Sequence, residues 1–344
     1  MENIRSTFPV RATGALGRVK AILQTPRGDL GRRNMPTALD AVEGRNLAGK
    51  MCVITGASSG LGRESARALA SAGAHVVLAA RNRAALADTQ SWIHDEVPGA
   101  QTSIVHLDLT SLYDVRKAAA AIGDVCGAIH VLMNNAGVMF TPFGRTVDGF
   151  ETQFGTNHLG HFELTRLLMP LLVAASGARI VVLSSDGHRL SDVDLDDPNW
   201  ERRDYDKFLA YGASKTANTL HAVELDRRLR QDGVRAYAVH PGVVGTALGR
   251  HMSRDDFAKL SAAGAQRRRP TDEPVDVRRN FLTPEQGAAT QVWAAVSPVL
   301  DDLGAVYLAD CRIRTDVEPY AVDASRAARL WTLSESLCGV RGST

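Results

Sequence analysis

From Lys50 onward the chain alternates between short apolar runs and longer amphipathic stretches. "MCVIT" (51–55), "HVVLAA" (75–80), "TSIVHLDL" (102–109), "HVLMNNAG" (130–137), "RIVVLSS" (179–185), "RAYAVHPG" (235–242) and "GAVYLAD" (304–310) read as strands. Segments of helical length separate them, beginning with "GLGRESARALASA" (60–72) and a charged helix through about Val97. Strands that are apolar almost throughout are buried on both faces, and strands that alternate with helices form parallel sheets. The pattern predicts one doubly wound α/β domain over residues 49–344, with a central parallel sheet of about seven strands flanked by helices. Ligands of such sheets bind beyond the carboxyl ends of the strands, so chemistry is expected at the strand–helix turns.

Residues 1–48 have no clear period and mix Arg, Gly and Pro. They read as a basic, partly ordered extension, with docking or contact at a membrane surface as the alternative. No uninterrupted apolar run approaches spanning length, and the N-terminus lacks the apolar core of a signal peptide. The net charge of +2 on 344 residues gives no electrostatic case for a nucleic-acid partner. Four cysteines lie far apart, without metal-ligand spacing. A cytoplasmic protein with reduced thiols is expected.

Candidate chemistry begins at the first strand–helix turn, "TGASSGLG" (55–62). Gly56 would permit the tight turn, Gly60 a close backbone approach to a pyrophosphate, and Gly62 close helix–strand packing, with phosphate on the helix N-terminus. The second strand ends "LAARNR" (78–83), where Ala80 is followed by Arg81 and no carboxylate occurs until Asp88. A guanidinium at that point favours a ribose 2′-phosphate, hence NADP(H) over NAD(H), although position 59 holds Ser rather than a basic residue. Asp108 and Leu109 end the third strand and "NNAG" (134–137) the fourth, on the rim where an adenine and its ribose would rest. Taken alone, Asp108 would be read as a helix N-cap.

"LAYGASKTANTL" (209–220) places a phenol, Tyr211, one helical turn before an ammonium, Lys215. A cation beside a phenol lowers its pKa from about 10 and suits it to acid/base work. His158 and His161, in "NHLGH", have an i, i+3 spacing that suggests a metal, but two ligands without a third make a poor site. No metal is expected.

The ordered set "TGASSGLG", "DL" (108–109), "NNAG", "TNHLGHF" (156–162), Ser185, "YGASK" (211–215) and "HPGVVGT" (240–246) resembles the short-chain dehydrogenase/reductase family, over about residues 50 to 310. "SKTAN", "EQGAAT" (285–290) and "LWTLSE" (330–335) resemble its retinol-dehydrogenase-like branch and the oxidoreductase domain of WW-domain-containing oxidoreductases, without a WW module. The resemblance implies a Rossmann-type domain in which Tyr211 is the acid/base. Lys215 would lower its pKa and hold the nicotinamide ribose, and Ser185 would orient the reacting oxygen. Asn157 would hold a water linking Lys215 to solvent. Ser184 competes for the serine role, and the family alignment selects Ser185. Cofactor contacts are implied at Gly56, Ser58, Ser59, Gly60, Leu61 and Gly62. Others are implied at Arg81, Asp108, Leu109, Asn135, Ala136 and Gly137, at Tyr211 and Lys215, and at Pro241, Gly242, Val244 and Thr246.

The resemblance further implies a substrate-mouth insertion at about 186–208 and a lid at about 243–282. The arginines of "QRRRPTDEPVDVRRN" (266–280) read as a solvated loop, with contact to an anionic substrate group as the alternative. The expected activity is NADP(H)-dependent interconversion of a carbonyl and an alcohol on a lipophilic small molecule such as a retinoid, a steroid or an aromatic ketone. A homodimer or homotetramer joined through the helices of Asn157 and Tyr211 is the family habit. The alternative is a cofactor-binding sensor or scaffold with little turnover. A nucleotide-sugar epimerase would need T-G-x-x-G-x-x-G, which the chain lacks.

Overall fold

The computed structural model describes residues 35–256, 258 and 281–340. Its strands are β1 (Met51–Thr55), β2 (His75–Ala80), β3 (Gln101–His106), β4 (Val131–Asn134), β5 (Arg179–Leu183), β6 (Arg235–Val239), β7 (Val306–Ala309) and β8 (Arg312–Arg314). They form one sheet in the order β3-β2-β1-β4-β5-β6-β7-β8. The first seven are parallel, and β8 runs antiparallel to β7.

The seven parallel strands match the expectation of about seven, and β8 adds an antiparallel edge strand that the sequence reading did not name. Ala309 pairs with Arg312, so the hairpin turn is Asp310–Cys311, and both residues have φ of 52°. That left-handed pair is usually announced by Asn-Gly or Asp-Gly. A cysteine in the second place hides it. The strands of the site also stop sooner than their apolar runs suggest, at His106, Asn134, Leu183 and Val239. The residues beyond them become the turns that line the cleft.

Successive strand residues face opposite sides of the sheet. Val53, Val77, Leu132, Ile180 and Val182 point into one core, and Ile54, Leu78, Met133 and Val181 into the other. The first core is covered by α4 (Leu112–Val125), α5 (Gly160–Val173) and α6 (Lys207–Leu229), with α8 (Ala324–Leu337) packed beside them. The second is covered by α1 (Ala38–Val42), α2 (Gly60–Ser71), α3 (Arg83–Glu96) and α7 (Pro284–Val296). Helix α1 falls inside the stretch read as a basic extension, yet Ala38 and Val42 are buried in that second core. A Thr37–Asp40 capping box fixes its start. Residues 1–34 lie outside the described part.

Ser111, not Asp108, caps α4, its hydroxyl accepting from Asp114 N at 3.2 Å. Asp108 instead holds the Thr110 amide and hydroxyl, at 2.9 and 2.8 Å. The chain switches direction across the sheet between β1 and β4, and the cleft opens there. No described helix is long and apolar enough to cross a membrane.

Candidate active site

A cleft of about 1160 Å³ runs along the carboxyl edge of β1, β2, β4, β5 and β6. Every expected cofactor and catalytic residue lines it except Gly62 and Asn157. Those two sit just behind the wall. A Cβ at Gly62 would lie 2.4 Å from the Gly56 oxygen, so its bare Cα is what lets α2 approach the turn. Gly56 (φ 67°) and Gly60 (φ 52°) are left-handed, as a tight turn needs. The N-cap of α2, Ser59, makes no side-chain cap bond. The amides of this N-terminus therefore suit an anion such as a pyrophosphate.

The Thr55 hydroxyl joins this turn to β4. It accepts from the amides of Asn135 and Ala136, both at 2.9 Å, and bonds His161 Nε2 at 2.8 Å. Asn135 Nδ2 returns to Thr55 O at 2.7 Å. At the end of β2, Ala80 is buried and Arg81 exposed, both on the cleft, while Asn82 caps α3 through Ala85 N at 3.1 Å. No carboxylate follows Ala80 at this strand end before Asp88.

Tyr211 and Lys215 both face the cleft from α6. The N-terminus of α6 is capped by Asp206, which accepts from Phe208 N and Leu209 N. The Tyr211 ring packs edge-on against Phe140, 4.9 Å between centroids, and Phe140 itself holds a φ of 52°. A bulky residue in that region is strained and held by its surroundings; here Phe140 N donates to buried Gln153 Oε1 at 2.8 Å.

Ser185 and Ser184 part company, as strand alternation requires. Ser184 is buried against α6, donating to Lys215 O at 2.9 Å and bonding Thr219 Oγ1 at 2.8 Å. Ser185 faces the cleft beside the Tyr211 phenol, whose pKa it lowers, and accepts from Gly187 N at 3.0 Å.

Burial pushes the Tyr211 phenol up to about 12, with Ser185 acting in the other direction. Burial pulls Lys215 down to about 8, and its ammonium donates to Leu183 O at 3.0 Å. The sequence expectation that Lys215 depresses the phenol is thus corrected. Loss of hydration sets the direction, and Ser185 acts against it.

Asn157 lies in a π-helical turn, Gly155–Leu159, ahead of α5. Its side chain clamps Val138, accepting from N at 2.8 Å and donating to O at 2.9 Å. It also donates to Ser214 Oγ at 3.0 Å. Both amide hydrogens are committed. Its main-chain oxygen is bonded by His161 Nδ1 at 2.9 Å. His158 turns the opposite way, to Ser334 on α8 at 2.8 Å, so the two histidines do not converge on one point. Among the described residues no group of three metal-ligating side chains occurs.

Pro241, Gly242, Val244 and Thr246 follow β6 on the cleft rim. The two ends of the expected lid are clipped together, Leu282 N donating to Val243 O at 2.8 Å. Residue 257 and residues 259–280, including the arginine-rich stretch, lie outside the described part. Of the insertion, only Asp186, Gly187 and Leu190 reach the cleft. The rest is tied down elsewhere: Tyr205 donates to Glu151, and Arg326 on α8 donates to Val193 O.

Sequence reasoning missed Phe140, Asp186 and His240, all on the cleft. The first two directly follow or nearly follow named motifs, and His240 opens "HPG", which was the available signal.

A model of the family described as short chain dehydrogenase matches residues 50–256. The chain belongs to that family. Among curated relatives, human retinol dehydrogenase 12 is 39% identical over 303 residues, spanning 86% of this chain and 88% of that protein. The WW domain-containing oxidoreductase of Homo sapiens is 38% identical over 308 residues, spanning 88% of this chain and 71% of that protein. Among solved structures of the same fold, an uncharacterised protein from Mycobacterium paratuberculosis aligns with TM-score 0.66 at 35% identity, covering 87% of this chain and 97% of that one. The Pseudomonas aeruginosa RhlG/NADP active-site complex aligns with TM-score 0.59 at 24% identity, covering 76% and 95%.

Proposed function

We propose that this short-chain dehydrogenase is an NADP(H)-dependent oxidoreductase that interconverts a carbonyl and an alcohol on a lipophilic small molecule. The observation that carries the reading is the meeting of Tyr211, Ser185 and Lys215 at one end of a cleft whose other end is the glycine turn and Arg81. The retinol dehydrogenases among its relatives and the NADP complex among its structural neighbours support the same direction.

The fit to a dinucleotide rests on the uncapped N-terminus of α2, the left-handed Gly56 and Gly60, and the small residues of the rim. Gly60, Leu61, Ser58 and Ser59 would hold the pyrophosphate, Asp108, Leu109 and Asn135–Gly137 the adenosine side, and Pro241 to Thr246 the carboxamide. Lys215 would hold the nicotinamide ribose. Arg81 would meet a 2′-phosphate in charge-assisted bonds. When bound, this group supplies or accepts the hydride.

The chain's own part is the proton. A neutral phenol held at about 12 is a proton donor near pH 7, which suits protonation of a carbonyl oxygen and hence reduction. Ser185 donates to that same oxygen and fixes its approach. As the phenol loses its proton, the Lys215 ammonium stabilises the phenolate. The clamp of Asn157 on Val138 keeps β4's terminal turn beside Lys215. Val138, Met139, Phe140 and Leu190 present an apolar mouth on the substrate side, which suits a lipophilic carbonyl.

The test is a panel of aldehydes and ketones followed by cofactor oxidation, run with NADPH and NADH in parallel. Turnover faster with NADPH on apolar carbonyls is expected. Turnover with NADH alone rejects the Arg81 assignment, and no turnover on any carbonyl rejects the enzyme reading.

A further inference from the structure

The turn that presents Ser185 is held by a histidine from the next strand. Asp186 N donates to His240 Nδ1 at 3.2 Å. His240 is itself fixed where β6 runs out, its amide donating to Leu308 O at 2.8 Å. Because Nδ1 accepts, the ring proton belongs on Nε2, which faces Asp186 Oδ2 at 3.6 Å. The other carboxylate oxygen of Asp186 accepts from Tyr307 OH at 3.2 Å. Asp186 is thereby held at its amide by His240, just past β6, and at one carboxylate oxygen by Tyr307 of β7. The preceding residue is Ser185, which lines the cleft beside the Tyr211 phenol. The residues following His240 are Pro241 and Gly242, on the rim of the same cleft.

We propose that His240 is a positioning residue: its unprotonated Nδ1 holds the main chain at Asp186 and so aims the Ser185 hydroxyl at the reacting oxygen. The inference rests on the carbonyl–alcohol reading above. A neutral imidazole is needed, since a proton on Nδ1 would turn the acceptor into a donor facing a donor. The groups facing the ring are Asp186, Asp310, Arg189 and Arg314, together with Tyr307 OH on the far side of Asp186. Burial holds the imidazole below its ordinary range against the pull of the two carboxylates, so it stays neutral near pH 7.

The experiment compares H240L, which has no acceptor, with H240N, whose carbonyl oxygen can occupy the place of Nδ1. Expected for H240L is a kcat lower by about 10- to 100-fold, the scale of a misplaced catalytic group. Its KM for NADPH should be little changed. H240N should recover most of that loss. The acid limb of kcat in the unaltered enzyme should be absent from H240N. Equal kcat in H240L, parallel loss of NADPH affinity, or failure of a folded H240N to recover activity overturns the assignment. Should H240L not fold, the pH profiles of the unaltered enzyme and H240N decide, and identical acid limbs overturn it. An independent check needs no turnover: ¹⁵N histidine spectra should show His240 as the Nε2–H tautomer, and an Nδ1–H tautomer overturns the inference. Failure of these tests in an enzyme that reduces carbonyls leaves the proposed function standing. Absence of turnover from the unaltered protein sinks that function while the tautomer still tests His240.

Discussion

The Lys215 ammonium lies 5.7 Å from the centre of the Tyr211 ring and directs a hydrogen bond at the main-chain oxygen of Leu183, 3.0 Å away. Cation and phenol share one face of α6, as a four-residue spacing on a helix demands. Both are buried. Each therefore resists its charged form, the phenol at about 12 and the amine at about 8. Replacing Tyr211 by Phe keeps the ring against Phe140 and removes only the hydroxyl. Turnover should fall by at least about 10²-fold, while NADPH binding, followed by its fluorescence, stays nearly unchanged. A Phe variant with unaltered kcat removes Tyr211 from the mechanism.

The same two values give the directions opposite pH dependence. Reduction uses the neutral phenol and should be flat through neutrality, declining on the alkaline side as Lys215 discharges near pH 8. Alcohol oxidation uses the ionised phenol, so its rate should climb with pH. Initial rates in both directions from pH 6 to about 10 check this. An oxidation rate that falls with rising pH contradicts the assigned role.

Lys215 also has a cost in stability that the fold tolerates. Its folded pKa of about 8 lies below the 10.5 of an exposed lysine. Between those values the unfolded chain binds more protons, so stability rises with pH across that window, and below it the full penalty is present. The penalty is on the order of 3 kcal/mol. Lys215→Met should remove it, because Leu183 O keeps a second donor in Asn218 Nδ2 at 2.9 Å. The variant should be inactive yet more stable at pH 7, with a higher midpoint in urea, and the gap should close toward pH 10.5. A less stable variant at pH 7 contradicts this account.

Arg81 is exposed at the start of α3, so its contribution to folding is small and its removal is clean. Arg81→Ala should weaken NADPH by roughly 10-fold or more, the scale of a charge-assisted bond, and leave NADH almost unaffected. Equal weakening of both would place Arg81 outside the 2′-phosphate site.

Much of this was legible in the sequence for a physical reason. Parallel strands buried on both faces write themselves as apolar runs, and a phosphate-binding turn must use glycine where Gly56 and Gly60 are left-handed. Strand alternation alone could not choose between Ser184 and Ser185, since that depends on which face of β5 meets α6, and the family resemblance supplied the choice of Ser185. The Asp310–Cys311 hairpin was hidden because its residues lack the usual turn chemistry. His240 was hidden for another reason: its partner Asp186 is distant in sequence, and the two meet only through the register of β5 and β6. The sign of the Tyr211 shift was misread because spacing reports the neighbouring charge and is silent about lost hydration.

Acid stability follows from a histidine cluster packed behind the cleft wall. His158 and His221 meet edge-on at 5.5 Å, and His221 stacks on Trp331 of α8 at 5.9 Å. Burial holds His158 at about 3, His161 at about 4 and His221 well below its usual 6.5. These folded-state values lie beneath the unfolded one, so the unfolded chain gains protons first as pH falls. Stability is intact above 6.5 and declines from there toward the folded values. Each histidine contributes a slope of up to about 1.4 kcal/mol per pH unit. His221 Nε2 makes no hydrogen bond among the described residues, so His221→Phe should keep the ring packing and leave no partner stranded. Urea midpoints from pH 7 to 4.5 should fall less steeply in this variant, by about one proton's worth. Parallel curves for the two proteins would mean that His221 takes up its proton as readily in the folded chain as in the unfolded one, and would contradict this account.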